Sequence, residues 1–301
     1  MTSHQHAPTP RTNPVRRVAG RAVVALETTL LAHGLPAGQG LPLARELDQI
    51  VTDAGARPAT IGVLEGVPIV GMTPDELEAF LARPIIHKAN TANLGPLVHQ
   101  GATAATTVSA TVHLAASAGI RVMATGGLGG VHTNLHQRLD ISADLTALAQ
   151  HPVAVVSSGV KAILDVASTR ELLETMGVPV LGYNTDKFPA FYLTESECGV
   201  DATFDDPRDI ALFARHHLAQ HGSGVLVVQP VPAEHAIEPH VWHDWLGQAQ
   251  AETAAVQGRA ATPAVLDSLH RISQGRTLSA NLALVRANAA LAAKIAAEIA
   301  A

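Results

Sequence analysis

Short β-branched apolar runs alternate with longer segments of helical period from Ala22 onward, and this alternation constrains the fold more than any other feature of the sequence. The runs fall at residues 22–26, 60–64, 121–124, 153–157, 178–182 and 225–228. Several are apolar at every position, as a strand must be when both faces of its sheet are covered. The pattern predicts an α/β fold with a central mixed or mostly parallel sheet and helices on both faces. Helix ends are marked more clearly than helix middles. Leu43, Leu47, Ile50, Val51 and Ala54 repeat at helical spacing and stop at Gly55, a residue suited to a left-handed C-terminal cap. Ser168 and Glu171 have the spacing of a capping box, and Gly177 closes that segment. Asp206-Pro207 and Thr262-Pro263 each set a capping side chain before a proline, with Gly222 and Gly275 at the far ends. An alanine-rich closing helix carries Leu282, Val285, Ala289, Ala292, Ala296 and Ile299 on one face.

No internal repeat and no linker rich in Pro, Gly or Ser divides this pattern. A single domain over residues 21–301 is expected. Residues 1–20 carry Arg11, Arg16 and Arg17 among prolines, lack the apolar core of a secretory signal, and read as a polar tail. The chain is 47% hydrophobic and 15% charged, too apolar for disorder. No apolar run reaches the roughly 18 residues that a membrane span needs. A net charge of −6 offers no general basic field for a nucleic-acid polymer, although a local pocket for one phosphate remains compatible with it. Cys198 is the only cysteine, which excludes an intrachain disulfide and a cysteine-based zinc site. A soluble globular protein is expected, placed in the cytoplasm, with no membrane and no nucleic-acid polymer as partner.

Polar residues interrupt the apolar framework at the ends of the expected strands, where open α/β sheets hold their ligands. Glu27 follows the first strand, where burial would make it a general acid or base, though it also suits a turn-capping carboxylate. Thr125-Gly126-Gly127-Leu128-Gly129-Gly130-Val131-His132 follows the third, and its glycines let backbone N–H groups approach a phosphate. The same segment also suits a tight turn packed under a neighbour. His132 and His136 have helical spacing for metal ligation, but no companion carboxylate motif accompanies them. Asp140 and Asp144 stand four apart, with Ser142 as a helix cap, and two such carboxylates can hold a hard divalent ion that retains waters. Lys161 follows an apolar strand and the turn Ser157-Ser158-Gly159. A desolvated lysine there would serve as an amine nucleophile, and pairing with Asp165 is the alternative. Lys88, after Ile85-Ile86-His87, is a second strand-end lysine suited to a phosphate.

Taken in order, Ala25-Leu26-Glu27-Thr28-Thr29, Gly101-Ala102-Thr103, residues 124–132, 140–145 and 158–165, Gly177-Val178-Pro179-Val180 and Asn281 resemble the signature blocks of pseudouridine-5′-phosphate glycosidases. The match runs from about Val23 to the C-terminus. The resemblance implies an indigoidine synthase A-like scaffold and a reversible, metal-dependent cleavage of the C–C glycosidic bond of pseudouridine 5′-phosphate. The products are uracil and ribose 5-phosphate, in pseudouridine catabolism. It makes Lys161 the nucleophile that attacks C1′ and holds the opened sugar as an imine. Glu27 becomes the acid that donates and recovers protons, and Asp140 the metal-binding aspartate, with manganese as the ion. Lys88, Val108, Ser142, Ala143, Asp144 and Asn281 match substrate-binding positions, with Asn288 as the competing alignment for Asn281. A homotrimer is also implied.

The chemistry agrees, because uracil joined through carbon is a poor leaving group for an oxocarbenium route, whereas a lysine imine gives the bond an electronic path to break. The sequence departs from the family after Lys88. A serine and two arginines are usual there, whereas this chain reads Ala89-Asn90-Thr91-Ala92-Asn93. Thr29 and Ala32 also replace other small residues, a change expected to alter packing. The departure after Lys88 keeps open a related enzyme on the same scaffold acting on another phosphorylated nucleoside or sugar. A sugar-phosphate aldolase and a non-catalytic nucleotide binder are more distant rivals.

Overall fold

The computed structural model describes residues 21–133, 139–254, 256 and 261–301. In chain order the elements are β1 (Val23–Glu27), α1 (Thr29–His33), α2 (Gly40–Asp53), β2 (Arg57–Leu64), β3 (Val67–Val70), α3 (Pro74–Leu81), β4 (His87–Ala89), α4 (Leu94–His99), β5 (Ala104–Thr106), α5 (Val108–Ser117), β6 (Val122–Ala124), α6 (Ala143–Gln150), β7 (Ala154–Ser157), α7 (Val166–Thr175), β8 (Val180–Tyr183), β9 (Ala202–Phe204), α8 (Pro207–Gln220), β10 (Val225–Val228), α9 (Pro239–Glu252), α10 (Ala261–Ile272) and α11 (Arg276–Ala300). All six expected runs are strands. One sheet joins them in the order β4-β5-β2-β1-β6-β7-β10-β8-β9, with β3 paired to β2. From β2 to β9 along this order every pairing is parallel. β3 and β5 run antiparallel to β2, and β4 runs parallel to β5. The sheet is therefore mixed and mostly parallel, as expected.

Alternate residues of each strand feed two cores. Val24 and Leu26 of β1 pack with Leu43 and Leu47 of α2, Ile210 of α8 and Leu284 of α11. Val23 and Ala25 pack on the opposite face with Val112 of α5, Leu145 of α6 and Leu173 of α7. Each such buried side chain contributes about 1.5–3 kcal/mol, which explains why runs apolar at every position were needed. α2 ends at Asp53, and Gly55 has the positive φ of +86° expected beyond a helix end. Asp206 caps α8 by accepting from Arg208 N at 2.8 Å.

Two helix starts differ from expectation. The cap of α7 is Asp165, three residues before the Ser168 inferred from spacing, and it accepts from both Ser168 N, at 2.9 Å, and Ser168 Oγ, at 2.8 Å. The carboxylate thereby makes Ser168 a first-turn residue. α10 begins at Ala261, so Thr262 and Pro263 lie within its first turn. The polar tail over residues 1–20 lies outside the described residues.

Candidate active site

Glu27 is the last residue of β1, in register with Ile61 of β2. The β6 strand runs alongside, so Thr125, just beyond its end, delivers its hydroxyl to Glu27 Oε1. Burial pushes the Glu27 carboxyl above its ordinary value. The Thr125 hydrogen bond and the positive charges of Lys161 and Lys88 pull it down, and the negative charge of Asp144 adds to the rise. Desolvation is the largest influence, so the carboxyl keeps its proton to a higher pH than a free one does. Beneath Glu27, Thr28 and Thr106 both donate their hydroxyls to Ile61 O, at 2.8 and 2.7 Å, and Thr29 Oγ1 donates to Thr106 O at 2.8 Å. This ties the end of β1 to β2 and β5.

The glycine segment after β6 is laced to the turn that carries Lys161. Ser158 N donates to Gly126 O at 2.9 Å, Leu128 N to Gly159 O at 2.9 Å, and Lys161 N to Leu128 O at 3.1 Å. Gly129 N donates to Asp144 Oδ2 and Val131 N to Thr169 Oγ1, both at 2.9 Å. The N–H groups of Leu128, Gly129 and Val131 are thus committed within the protein, and these glycines answer a packing need. A Cβ on Gly127 would stand 2.5 Å from the Phe191 ring, and one on Gly129 2.3 Å from Ser142 Oγ. Gly159, with a φ of +77°, lies so close under Pro189 that a Cβ would meet its carbonyl oxygen at 1.9 Å. Lys161 emerges half-buried from this brace. Asp165 is engaged in capping α7.

A second construction meets the first at Asp144. Its Oδ1 accepts from Ser109 N and its Oδ2 from Gly129 N, each at 2.9 Å. The buried carboxylate therefore joins the first turns of two helices. Val108 opens α5, and Ser142 caps α6 by accepting from Asp144 N at 3.2 Å, with Ala143 as the first helical residue. Paired helix N-termini offer N–H groups and positive dipole ends to an anion. Lys88 is exposed on β4 and lies within electrostatic reach of Lys161, Glu27 and Asp144. Although its surface is exposed, the protein around its amine displaces part of the water and so lowers its proton affinity; Lys161 repels its charge, while the two carboxylates act the other way.

Asn281 and Asn288 divide the roles that sequence left between them. Asn288 is fully buried: its amide donates to Thr125 O at 2.8 Å and to Gly126 O at 3.3 Å, and its Oδ1 accepts from Gln229 Nε2 at 2.8 Å. It is a clamp on the glycine segment. Asn281, two turns earlier on α11, is half-buried beside Gly126 and makes no hydrogen bond from its side chain among the described residues. Asp140 is exposed, and its carbonyl accepts from His132 N at 3.0 Å. No three metal-ligating side chains converge among the described residues. Asp144 is engaged by the backbone N–H groups of Ser109 and Gly129, whereas the Asp140 side chain is exposed. His136 lies outside the described residues. Thr106 went unassigned in the sequence, where a small polar residue at a strand end was its only signal, and neither the Thr125 contact with Glu27 nor the clamping role of Asn288 was foreseen.

A family profile described as indigoidine synthase A like protein matches residues 16–298. A pseudouridine-5′-phosphate glycosidase of Streptomyces griseus is 46% identical over 281 residues, 92% of this chain and 87% of that protein. One of Chloroflexus aurantiacus is 44% identical over 287 residues, covering 93% and 94%. Among solved structures, an indigoidine synthase A-like protein of Thermotoga maritima has a TM-score of 0.88 at 35% identity, with 100% of both chains covered. The prealnumycin C-glycosynthase AlnA, in complex with ribulose 5-phosphate, has a TM-score of 0.86 at 35% identity over 93% of this chain and 92% of that one.

Proposed function

We propose, given that the chain belongs to the indigoidine synthase A like family, that it cleaves pseudouridine 5′-phosphate to uracil and ribose 5-phosphate. The observation that carries this reading is one electrostatic neighbourhood containing a half-buried acid, Glu27, with Lys161, Lys88 and the Asp144-linked helix N-termini. The relatives named for this activity match over nearly the whole chain, and a neighbour on the same fold takes a pentose 5-phosphate.

In this reading the phosphate lies against Lys88 and the first-turn N–H groups at Val108 and Ala143, and this remote binding energy orients C1′. The unprotonated Lys161 Nζ attacks C1′, the C1′–O4′ bond opens, and the proton that the new ammonium gives up passes to O4′. The nitrogen lone pair then forms the C=N bond as the C1′–C5 bond breaks. The electron pair of that bond passes to uracil C5, which Glu27 protonates. Water adds to the imine with ionised Glu27 accepting its proton, and expulsion of Lys161 releases ribose 5-phosphate. Asn281, with its amide uncommitted beside Gly126, is placed by this reading against the substrate. A divalent ion held by Asp140, manganese in this reading, would supply positive charge for the substrate's oxygens. Homotrimeric assembly and a cytoplasmic setting belong to the same reading. No helix among the described residues is long and apolar enough to cross a membrane.

The AlnA likeness favours a second reading, C-glycoside chemistry on the same pentose phosphate with a different ring system. The deciding experiment incubates the protein with pseudouridine 5′-phosphate and manganese, measures uracil release, and reduces a parallel sample of protein, ribose 5-phosphate and uracil with borohydride. A pentose-phosphate adduct on Lys161, absent from Lys161→Ala, together with uracil release is expected. An adduct without uracil release would move the assignment to the second reading, and no adduct would remove the imine.

A further inference from the structure

We infer that Asn93 is a positioning residue that sets Lys88 for phosphate recognition, with Asn90 as its support; this rests on the reading of Lys88 given above. β4 is the edge strand of the sheet. His87 N donates to Thr103 O, and Ala89 O accepts from Thr107 N, each at 2.9 Å. The residues on either side of Lys88 therefore turn their main-chain groups inward, toward β5. In a pleated strand the peptide groups of the residue between them point the opposite way, here off the edge of the sheet. The Lys88 carbonyl has no neighbouring strand to meet there.

Asn93 takes the place of that strand. Its Nδ2 donates to Lys88 O at 3.0 Å, and its Oδ1 accepts from Asn90 N at 2.7 Å. Asn90 Oδ1 in turn accepts from Ala92 N at 3.0 Å and Asn93 N at 3.1 Å. Two side chains thus close the turn between β4 and α4 and fasten it to the carbonyl of the lysine. A three-residue strand paired on one side would otherwise open easily. Residues 89–98 contain no lysine or arginine, so Lys88 is the one cation this strand and turn present. Where Lys88 stands, rather than how many charges accompany it, sets the affinity for the phosphate.

The test measures ribose 5-phosphate and uracil binding by calorimetry, and kcat and KM for pseudouridine 5′-phosphate. It compares the wild type with Asn93→Ala, Lys88→Ala, the double variant and Asn90→Ala. Loss of the Asn93 amide is expected to weaken ribose 5-phosphate binding and raise KM by about three- to tenfold, with kcat within twofold. Uracil affinity should stay unchanged. In the Lys88→Ala background the Asn93 change should cost nothing further. A loss in the double variant equal to the product of the two single losses would overturn the inference, as would an equal weakening of uracil. Full phosphate affinity in Lys88→Ala would instead remove the underlying reading of Lys88. Asn90→Ala removes only the two acceptor contacts and should give a smaller loss of the same kind, about twofold to threefold. That variant decides the matter if Asn93→Ala does not fold.

Discussion

Replacing Asp144 with asparagine tests whether one buried carboxylate both holds the site together and tunes its acid. Asp144 accepts two hydrogen bonds from backbone N–H groups, Ser109 N and Gly129 N, and hydrogen bonds to an ionised group contribute about 1.5–3 kcal/mol each. Asparagine keeps one acceptor oxygen but turns its NH2 toward the other N–H, so one interaction weakens and the other becomes a donor-to-donor conflict. The expected loss is about 3–5 kcal/mol, a large fraction of the roughly 5–15 kcal/mol that stabilises a typical domain. Urea unfolding at neutral pH followed by circular dichroism measures it. The same substitution removes a negative charge that raises the Glu27 carboxyl. In the folded variant, Glu27 should lose its proton at lower pH, and the alkaline limb of kcat for uracil release should move down the pH scale. A stability loss below about 1 kcal/mol, with an unmoved limb, would refute both parts of the reasoning.

Thr125→Val should move the same limb the other way, because the hydroxyl it removes stabilises the Glu27 carboxylate; a downward shift would contradict the assignment. Gly129→Ala puts a methyl group 2.3 Å from Ser142 Oγ and 3.0 Å from Asp144 Oδ2. We expect it to cost about 1–3 kcal/mol in a urea melt and to depress kcat more than ten times, since the cap of α6 and the glycine segment must separate. Asp48 lies outside the site on α2, with Oδ1 buried and without a hydrogen-bond partner among the described residues, and burial raises its carboxyl to about 6. The folded state binds this proton more tightly than the unfolded chain, so stability falls as pH rises through that range. Asp48→Asn should therefore gain about 1–2 kcal/mol at pH 7.5, discounted for its partial exposure, and almost nothing at pH 4. Equal gains at both pH values would refute it.

The long parallel strands were legible because two-sided burial leaves an uninterrupted apolar run, as at Val225–Val228 and Ala154–Ser157. β4, β5 and β9 lack such a run: β4 carries two exposed residues of its three, β9 has no buried residue, and β5 reads Ala-Ala-Thr. Their pairing comes from tertiary contact, which is why Lys88, expected at the end of a strand over Ile85-Ile86-His87, lies instead in the middle of β4. Capping chemistry was read correctly at Asp206-Pro207 but not at Thr262-Pro263, where α10 begins one residue earlier, nor at Ser168, where an upstream aspartate outcompeted a serine. Glu27 and Lys161 stood out as polar residues after apolar strands. The glycine segment invited a phosphate, yet its N–H groups at Leu128, Gly129 and Val131 are consumed inside the protein. Spacing of glycines indicates where backbone approaches closely, and whether the approaching partner is a ligand or another loop depends on residues far away in sequence.

That use of the glycines bears on how the site manages protons. The proposed chemistry needs a proton on Glu27 and none on Lys161 Nζ, one proton for the pair. How firmly Glu27 keeps its proton is decided by the surroundings. Burial of Glu27 and the charge of Asp144 favour the neutral acid, while Thr125 and the charges of Lys161 and Lys88 favour the carboxylate. Such a balance is sensitive to displacements of a few tenths of an ångström, because charge interactions strengthen steeply at short range inside a poorly polarisable site. Glu27 is fixed by the β1 ladder, Lys161 by Leu128 O, Asp144 by Gly129 N, and the glycine segment between them by Asn288. The segment that first looked like a ligand cradle is therefore the frame that holds acid, amine and tuning charge at fixed separations. A side chain at Gly127 or Gly129 would force that frame apart.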